Sequence, residues 1–177
     1  MKLEGIISKR ADAPYRPGDR GLWRKIKCLH REEFVVIGWT DPEGSRPFLG
    51  ALLLGYYDPE GRLIYAGRAG TGIDTAELER LWRRLAPLAT PTMPLDRPPP
   101  RSARFGSPLV LSRVHWVRPE LVAEVKFLAW TEDNLLAQVV YEGLREDKPA
   151  REVRREVPLP TPGGGLNNAP GRKPSSR

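Results

Sequence analysis

The sequence predicts a mainly β protein, built as a small antiparallel barrel with one inserted helix. Short segments rich in β-branched and aromatic residues recur from residue 34 onward, as in proteins made of short strands. Turn sequences such as Asp-Pro-Glu-Gly separate several of these segments. One segment in this part of the chain has apolar residues at helical spacing. The 177 residues suffice for one such domain and part of a second.

Two short strands are predicted ahead of the barrel. Residues 3–9 and 23–28 both alternate apolar with polar side chains, and a loop rich in proline and glycine separates them. A pair of strands is too small to be stable as a sheet of its own. We therefore expect residues 1–31 to be the end of another domain whose larger part precedes this chain.

The barrel is predicted over residues 32–157. Its strands are expected over six segments, in order residues 34–39, 48–57, 62–68, 114–116, 121–130 and 135–141. The second and third segments flank an Asp-Pro-Glu-Gly turn, which favours a hairpin. The proline-rich residues 87–108 are expected to form a loop, and residues 158–177 a disordered tail. Five or six strands with one helix in mid-sequence indicate an OB-type barrel.

The inserted helix follows the predicted hairpin. Asp74 or Thr75 is expected to cap its first turn, and the helix should end before Pro87. The apolar stripe that would face the core consists of Leu78, Leu81, Trp82 and Leu85.

The charge of the chain indicates an anionic partner. Basic residues outnumber acidic ones by 29 to 22, and only seven of the basic residues are lysine. The planar guanidinium of arginine suits bidentate contacts with phosphate, so nucleic acids are the expected partner class. The surplus is concentrated in residues 1–31, which hold nine basic and three acidic side chains.

Other features of the composition exclude several classes of protein. A single cysteine, Cys28, cannot form an internal disulfide. The longest apolar run, residues 48–57, has about half of the roughly 20 residues that a membrane helix needs. Glu4 interrupts the N-terminus, so no secretory signal is expected. We expect a cytosolic protein with no membrane partner.

Three local patterns carry chemistry. Glu4 precedes a glycine on the first strand, and Lys25 and Lys27 lie on one face of the second strand, about 7 Å apart. The third pattern, Arg-Glu-Asp-Lys at residues 145–148, follows the last barrel strand. A carboxylate beside lysines suits metal-assisted phosphoryl or nucleotidyl transfer. Each pattern alone is also compatible with an ordinary solvated strand edge or a charged helix start.

In this order, the patterns resemble motifs IV, V and VI of the ATP-dependent DNA ligases. The matching sequences are Glu-Gly-Ile-Ile-Ser-Lys-Arg, Trp-Arg-Lys-Ile-Lys and Arg-Glu-Asp-Lys. The sequence around the third is most similar to the ligase module of the bacterial ligase D family, which acts in non-homologous end joining. The resemblance extends over about residues 1–157. It implies that residues 1–31 end a nucleotidyltransferase (adenylation) domain and that an OB domain follows.

The resemblance implies that the first two motifs bind ATP and a metal ion. Glu4 would hold Mg²⁺ or Mn²⁺, and Lys25 and Lys27 would contact the α-phosphate of ATP. Lys9 and Arg20 are further candidates for contact with the nucleotide.

The third motif and the remaining basic residues have implied roles of their own. Arg145, Asp147 and Lys148 would close over ATP and orient the departing pyrophosphate, which makes them catalytic together with the two lysines of motif V. The residues expected to contact DNA are Arg10, Arg16 and Arg20. The implied partners of this monomer in the bacterial cytosol or nucleoid are duplex DNA with nicks or ends and a separate N-terminal adenylation half.

One departure from the ligase pattern limits the expected activity. Such ligases use a Lys-x-Asp-Gly nucleophile, and no lysine of these 177 residues is followed by x-Asp-Gly. We therefore predict that the chain does not adenylate itself. Two alternatives share the architecture, a non-catalytic OB module that binds duplex DNA and an RNA-capping type of nucleotidyltransferase.

Overall fold

The structure, a computed structural model, describes the backbone of residues 5–9, 23–27, 29–100 and 109–155. Side chains are described for residues 29–100 and 109–155. The first two segments form strands β1 (Gly5–Lys9) and β2 (Trp23–Lys27), which pair antiparallel. These are the two strands that the alternating sequence predicts. The predicted tail and residues 101–108 of the proline-rich segment fall outside the described residues.

The predicted barrel is present as one antiparallel sheet. The strands of this sheet are β3 (His30–Thr40), β4 (Leu52–Tyr57), β5 (Leu63–Ala69), β6 (Val114–Trp116), β7 (Val122–Phe127) and β10 (Val140–Arg145). Their order in the sheet is β10-β7-β3-β4-β5, and β6 pairs with the C-terminal end of β3. The long strand β3 therefore lies at the centre, with its first half on β7 and its second half on β6.

Strand β3 changes partner at a bulge. The register against β4 shifts between Val36 and Gly38. A Cβ atom at Gly38 would lie 2.6 Å from the carbonyl oxygen of His115 on β6. The absence of a side chain at this position therefore permits the close approach of β6 that begins the second half of the barrel.

The barrel closes where the chain beyond β5 meets β10. Thr71 and Val140 form an isolated parallel bridge, and the amide of Tyr141 donates to the Thr71 carbonyl at 2.8 Å. Gly72 has a φ of +87°, and a Cβ atom there would lie 2.7 Å from the Tyr141 carbonyl oxygen. Only glycine satisfies both the backbone conformation and the close contact.

The core is continuous through the middle of the sheet. Consecutive residues of β3 and β4, among them Val35, Val36, Leu53 and Leu54, are fully buried. Such runs lack the alternation of a strand with one wet face, because both faces of the sheet are covered at these positions. The sequence therefore marks the strands by their β-branched and aliphatic content more clearly than by periodicity.

The inserted helix α1 (Thr75–Leu85) has the predicted bounds. Asp74 is its cap, and its carboxylate accepts a 2.8 Å hydrogen bond from the amide of Glu77. The side chains that α1 buries are Leu78, Leu81 and Leu85. The prediction that Trp82 belongs to this stripe is wrong. Trp82 is 40% exposed and packs against Phe48, with 5.9 Å between ring centroids.

The last two predicted strands are each divided. The first consists of β7 and a short β8 (Ala129–Trp130), and the second of β9 (Leu136–Ala137) and β10. Strands β8 and β9 pair with each other as a separate hairpin. Gln138, with a φ of 52°, interrupts the chain between β9 and β10, because a left-handed residue cannot continue a strand. Strand β10 then runs to Arg145, beyond its predicted end.

The connections contain three short 3₁₀ helices among the described residues. They cover Ala86–Leu88, Leu111–Arg113 and Ala150–Glu152. The last of them follows the Arg-Glu-Asp-Lys segment directly. No helix in the described part of the chain is long and apolar enough to cross a membrane.

Barrel closure predicts unequal effects of alanine at two glycines. Gly72→Ala should lower the free energy of unfolding by about 3 kcal/mol, because it adds a backbone clash to the strain of a positive φ. Gly61→Ala is the matched control, because Gly61 has a φ of +80° and open space around the added Cβ. This substitution should cost about 1 kcal/mol. Urea denaturation of both variants measures the difference, and equal losses would contradict the assigned role of Gly72.

Candidate phosphate-binding site on the barrel

The candidate site is built around the end of β10. Arg145 is the last residue of this strand and pairs with Val122 of β7. Its Nε donates to Asp147 Oδ1 and its Nη2 donates to Asp147 Oδ2, each at 3.1 Å. This bidentate contact fixes the plane of the guanidinium. The remaining terminal nitrogen, Nη1, donates to Glu124 Oε2 at 2.8 Å and lies 3.4 Å from Glu33 Oε1.

Two glutamates underneath this arginine face each other across the sheet. Glu33 of β3 and Glu124 of β7 are direct partners in the register. Like charges at directly opposed positions destabilise a sheet. Here cations separate them, since Lys148 Nζ donates to Glu33, and Arg31 Nε forms an ion pair with Glu124 at 2.5 Å.

The charge cluster continues along β10. Glu142 forms ion pairs with Arg31 at 2.7 Å and with Lys126 at 3.2 Å. Hydrogen bonds from these two cations lower the pKa of Glu142. The result is an alternating network of cations and carboxylates across β3, β7 and β10, and the Arg-Glu-Asp-Lys segment supplies one end of it.

Protonation of the segment follows from these contacts. The hydrogen bonds from Arg145 lower the pKa of Asp147 from its usual value of 3.8. The hydrogen bonds to Asp147 and Glu124 raise the pKa of Arg145. Both groups are therefore ionised at neutral pH, and Arg145 carries a fixed positive charge at the surface of the barrel.

A groove with a volume of about 300 Å³ runs beside these side chains. Its lining contains four cations and three carboxylates, namely Arg31, Arg145, Lys148 and Arg154 with Glu32, Glu33 and Glu124. The volume is at the small end of the range of ligand pockets. Arginine and lysine side chains around a small polar groove are suited to bind a phosphate group.

Glu146, the variable position of the motif, attaches the segment to helix α1. Arg84 of the helix donates to both carboxylate oxygens of Glu146, at 2.6 and 3.2 Å. Arg80 lies 3.9 Å from the same carboxylate. A second link joins β10 to the helix, because the Tyr141 hydroxyl donates to Glu77 at 2.6 Å. These contacts fix the segment relative to the body of the barrel.

The three arginines of α1 are Arg80, Arg83 and Arg84, and each faces a carboxylate. Arg83 donates to Glu79, one turn earlier, and the other two face Glu146. The spacing of residues in the sequence predicts the pair between Arg83 and Glu79 within the helix. It does not predict the contact between Arg84 and Glu146, which are 62 residues apart.

The structure brings together three of the predicted site residues, Arg145, Asp147 and Lys148. The side chains of Lys9, Lys25 and Lys27 are outside its description, although their backbones are in β1 and β2. The register places Ile7 opposite Lys25 and Gly5 opposite Lys27. The predicted site residues that lie wholly outside the described residues are Glu4, Arg10, Arg16 and Arg20.

Sequence reasoning missed Glu33 and Glu124. The available signal is a carboxylate inside an apolar strand segment, which requires a cationic partner when it is half-buried. The sequence does not show that the partner would be Arg145, because that contact depends on the register of three strands. Within the ranges with described side chains, no group of three or more His, Cys, Asp or Glu is placed to hold a metal ion.

The barrel and its charged segment define a class of protein. A closed antiparallel barrel with an inserted helix is an OB-fold domain, and here its last strand leads into Arg-x-Asp-Lys. The profile of the family described as ATP dependent DNA ligase C terminal region matches residues 45–148. The chain belongs to this family, and the matched range contains the Arg-Glu-Asp-Lys segment at residues 145–148.

Individual relatives agree with this assignment. The chain is 46% identical over 164 residues to the multifunctional non-homologous end joining protein LigD of Pseudomonas aeruginosa, covering 92% of this chain and 19% of the relative. The structure resembles the ligase domain of Mycobacterium tuberculosis LigD with a TM-score of 0.64 and 42% identity, over 86% of this chain and 48% of that one.

A mycobacterial DNA ligase D complexed with ATP gives a TM-score of 0.59 at 40% identity, over 85% of this chain and 46% of that one. The chain thus spans about a fifth of the length of the curated LigD relative, as its 19% coverage states.

The ion pair between the segment and the helix predicts a pH-dependent contribution to stability. The hydrogen bonds from Arg84 lower the pKa of Glu146 below its usual 4.5. The contribution is therefore present above pH 4.5 and is lost as the pH falls through the folded pKa. Glu146→Gln should be less stable than the unsubstituted chain at pH 7, and the difference should narrow below pH 4.5.

Urea denaturation between pH 3 and pH 7 measures this difference. Glu120→Gln is the control, because the one ion pair of Glu120 among the described residues is a long contact with Arg118, at 3.8 Å. The control should show a smaller difference at pH 7. If the difference in the free energy of unfolding between Glu146→Gln and the unsubstituted chain stays constant with pH, the assigned ion pair is wrong.

Proposed function

We propose that this chain is the C-terminal part of an ATP-dependent DNA ligase that seals nicks or ends of duplex DNA during non-homologous end joining. The observation that carries the proposal is the grouping of Arg145 and Lys148 around one groove at the end of β10. Membership of the ligase family and the names of the LigD relatives support it. The relative that is complexed with ATP supports ATP as the nucleotide.

The first chemical step that the proposal assigns to the complete enzyme is attack of a lysine on the α-phosphate of ATP. Pyrophosphate leaves and the lysine becomes adenylated. Arg145 and Lys148 bind the β- and γ-phosphates and orient them as a leaving group. Lys25 and Lys27 stabilise the charge that builds on the α-phosphate. Fixed cations that meet developing charge are the main source of rate acceleration in phosphoryl transfer.

In the two later steps, AMP passes to the 5′-phosphate of a nick, and the 3′-hydroxyl then displaces it. After adenylation the OB domain turns away from the nucleotide and grips the duplex. Arg10, Arg16 and Arg20 contact the DNA backbone, and Lys9 and Arg20 also approach the nucleotide. Glu4 would supply a carboxylate oxygen to Mg²⁺ or Mn²⁺, which are hard cations that prefer such ligands and assist charge neutralisation.

The strands support the barrel part of the proposed domain organisation. Residues 1–31 complete an adenylation domain, residues 32–157 form the OB domain, and residues 158–177 are a tail. The ligase acts as a monomer in the bacterial cytosol, together with an adenylation half that carries the nucleophile.

A complete ligase tests the proposed catalytic residues. It can be made as a chimera in which this chain replaces the matching segment of the Pseudomonas aeruginosa relative. Alanine at Lys25 or Lys27 should lower ATP-dependent sealing of a nick by about 10²-fold or more, as loss of a fixed charge-stabilising group does. Alanine at Asp147 should lower it to a similar extent, because Asp147 fixes the plane of the Arg145 guanidinium. Lys126→Ala is the control, because Lys126 contacts Glu142 and lies outside the groove. Its sealing rate should be unchanged.

Sealing of labelled nicked duplex, measured beside duplex binding, separates the proposal from its main alternative. If the three substitutions weaken binding and leave the sealing rate of bound DNA intact, the chain is a non-catalytic DNA-binding module. A preference for nicked over intact duplex supports the ligase.

The isolated 177-residue chain should form no covalent adduct with AMP, because these residues contain no Lys-x-Asp-Gly. Incubation with labelled ATP and Mg²⁺, followed by denaturing electrophoresis, measures adduct formation, and the chimera serves as the positive control. Label that stays on the isolated chain would contradict this prediction.

A further inference from the structure

One cation of the groove differs from the other three. Arg31, Arg145 and Lys148 each form an ion pair with a carboxylate. Arg154 also lines the groove. Among the residues with described side chains, it has no carboxylate partner. Its Nη1 donates to the carbonyl oxygens of Arg151 at 2.5 Å and Val153 at 3.4 Å, and no carboxylate of the described residues neutralises its positive charge.

The position of Arg154 is nevertheless fixed. Val153, the preceding residue, is 1% exposed, and its carbonyl accepts a 2.9 Å hydrogen bond from the amide of Tyr57. Arg154 itself forms an isolated parallel bridge with Tyr57 at the end of β4. Its guanidinium carbon lies 5.5 Å from the centroid of the Tyr57 ring. Backbone pairing and the cation–π contact hold the side chain beside the groove.

The paired and unpaired cations differ in how they can accept a phosphate. Nε, Nη1 and Nη2 of Arg145 all donate to carboxylates. A phosphate can take over these three hydrogen bonds only by displacing Asp147 or Glu124, which leaves mainly the second N–H of Nη2 for a contact without displacement. Arg154 requires no such displacement, because the nitrogens Nε and Nη2 have no hydrogen-bond acceptor among the described residues. It is therefore the cation of the groove that an incoming phosphate can bind first.

We propose that Arg154 is a phosphate-binding residue for the triphosphate of ATP and acts with Arg145 and Lys148. This inference rests on the proposed ligase function. It adds a contact six residues beyond the Arg-Glu-Asp-Lys segment. The choice of ATP over the DNA backbone follows from location, since Arg154 lines the same 300 Å³ groove as the two cations of the segment. A small groove suits a short polyphosphate better than a duplex.

Binding of inorganic tripolyphosphate to the complete 177-residue chain tests the inference, with titration calorimetry as the measurement. Arg154→Gln should weaken binding about tenfold, the loss expected from one charge-assisted hydrogen bond of about 1.4 kcal/mol. Arg154→Lys should recover part of the affinity, because it retains the charge and loses the fork. Arg151→Gln is the matched control, because Arg151 is a nearby exposed arginine that does not line the groove.

Several outcomes would overturn the inference. These are failure of the unsubstituted chain to bind tripolyphosphate, and equal losses for Arg154→Gln and Arg151→Gln. The same titrations with nicked duplex form the second arm. If Arg154→Gln weakens DNA binding more than Arg151→Gln and leaves tripolyphosphate binding unchanged, Arg154 serves the DNA backbone and the proposal is wrong. Thermal unfolding of each variant shows whether a loss of affinity reflects loss of the fold.

The inference and the proposed function can fail separately. Tripolyphosphate binding that depends on Arg154, in a chimera that does not seal nicks, would retain the phosphate site and reject the ligase. A chimera that seals nicks with the same KM for ATP whether residue 154 is arginine or glutamine would retain the ligase and reject the role of Arg154.

Discussion

The opposition of Glu33 and Glu124 across the sheet is the constraint on which the charged face of the barrel depends. Their register pairing brings two negative charges together at the centre of three strands. The repulsion is removed by Arg145 and Lys148 from the Arg-Glu-Asp-Lys segment and by Arg31 from β3. The segment therefore neutralises negative charge on the sheet in the absence of any bound phosphate. Its geometry follows from the register of β3, β7 and β10.

The same segment is fixed from a second direction by the inserted helix. Arg84 binds Glu146, and Tyr141 joins β10 to Glu77 in the first turn of α1. The loop before the helix closes the barrel at Gly72, where a side chain would meet the backbone of β10. The rest of the sheet, helix α1 and the closing loop therefore all contact strand β10. A helix inserted in the middle of the barrel sequence thereby positions residues that follow it by about sixty positions.

The sequence predicts the elements of this fold better than it predicts their contacts. The β-branched segments, the turns and the Asp74 cap specify strands and a helix locally, and the structure contains them. Their bounds differ from the prediction, since β3 is longer, β4 begins only at Leu52, and the last two predicted strands are divided. The prediction for Trp82 is wrong because helical spacing does not show where the buried stripe of a helix ends. Leu78, Leu81 and Leu85 already fill the face of α1 that packs on the core. The break at Gln138 depends on a left-handed backbone conformation that its residue type does not require.

The residues of the candidate site also differ in whether the local sequence identifies them. Arg145, Asp147 and Lys148 are adjacent in sequence, so a motif identifies them together. Glu33 and Glu124 belong to the site through strand register, which no local pattern encodes.

The carboxylates that bind Arg145 and Lys148 would compete with any phosphate for these two cations. A phosphate that takes Nη1 of Arg145 displaces Glu124, and the two glutamates would then face each other with less cationic charge between them. Their repulsion would favour return of the arginine once the phosphate departs. Under the proposed function, such internal competition would make phosphate binding reversible, as required of residues that engage a nucleotide in one step and release the leaving group before the next. In the proposed site, Arg154 would offset part of this competition, because a phosphate bound to it would gain a contact that no carboxylate of the described residues contests.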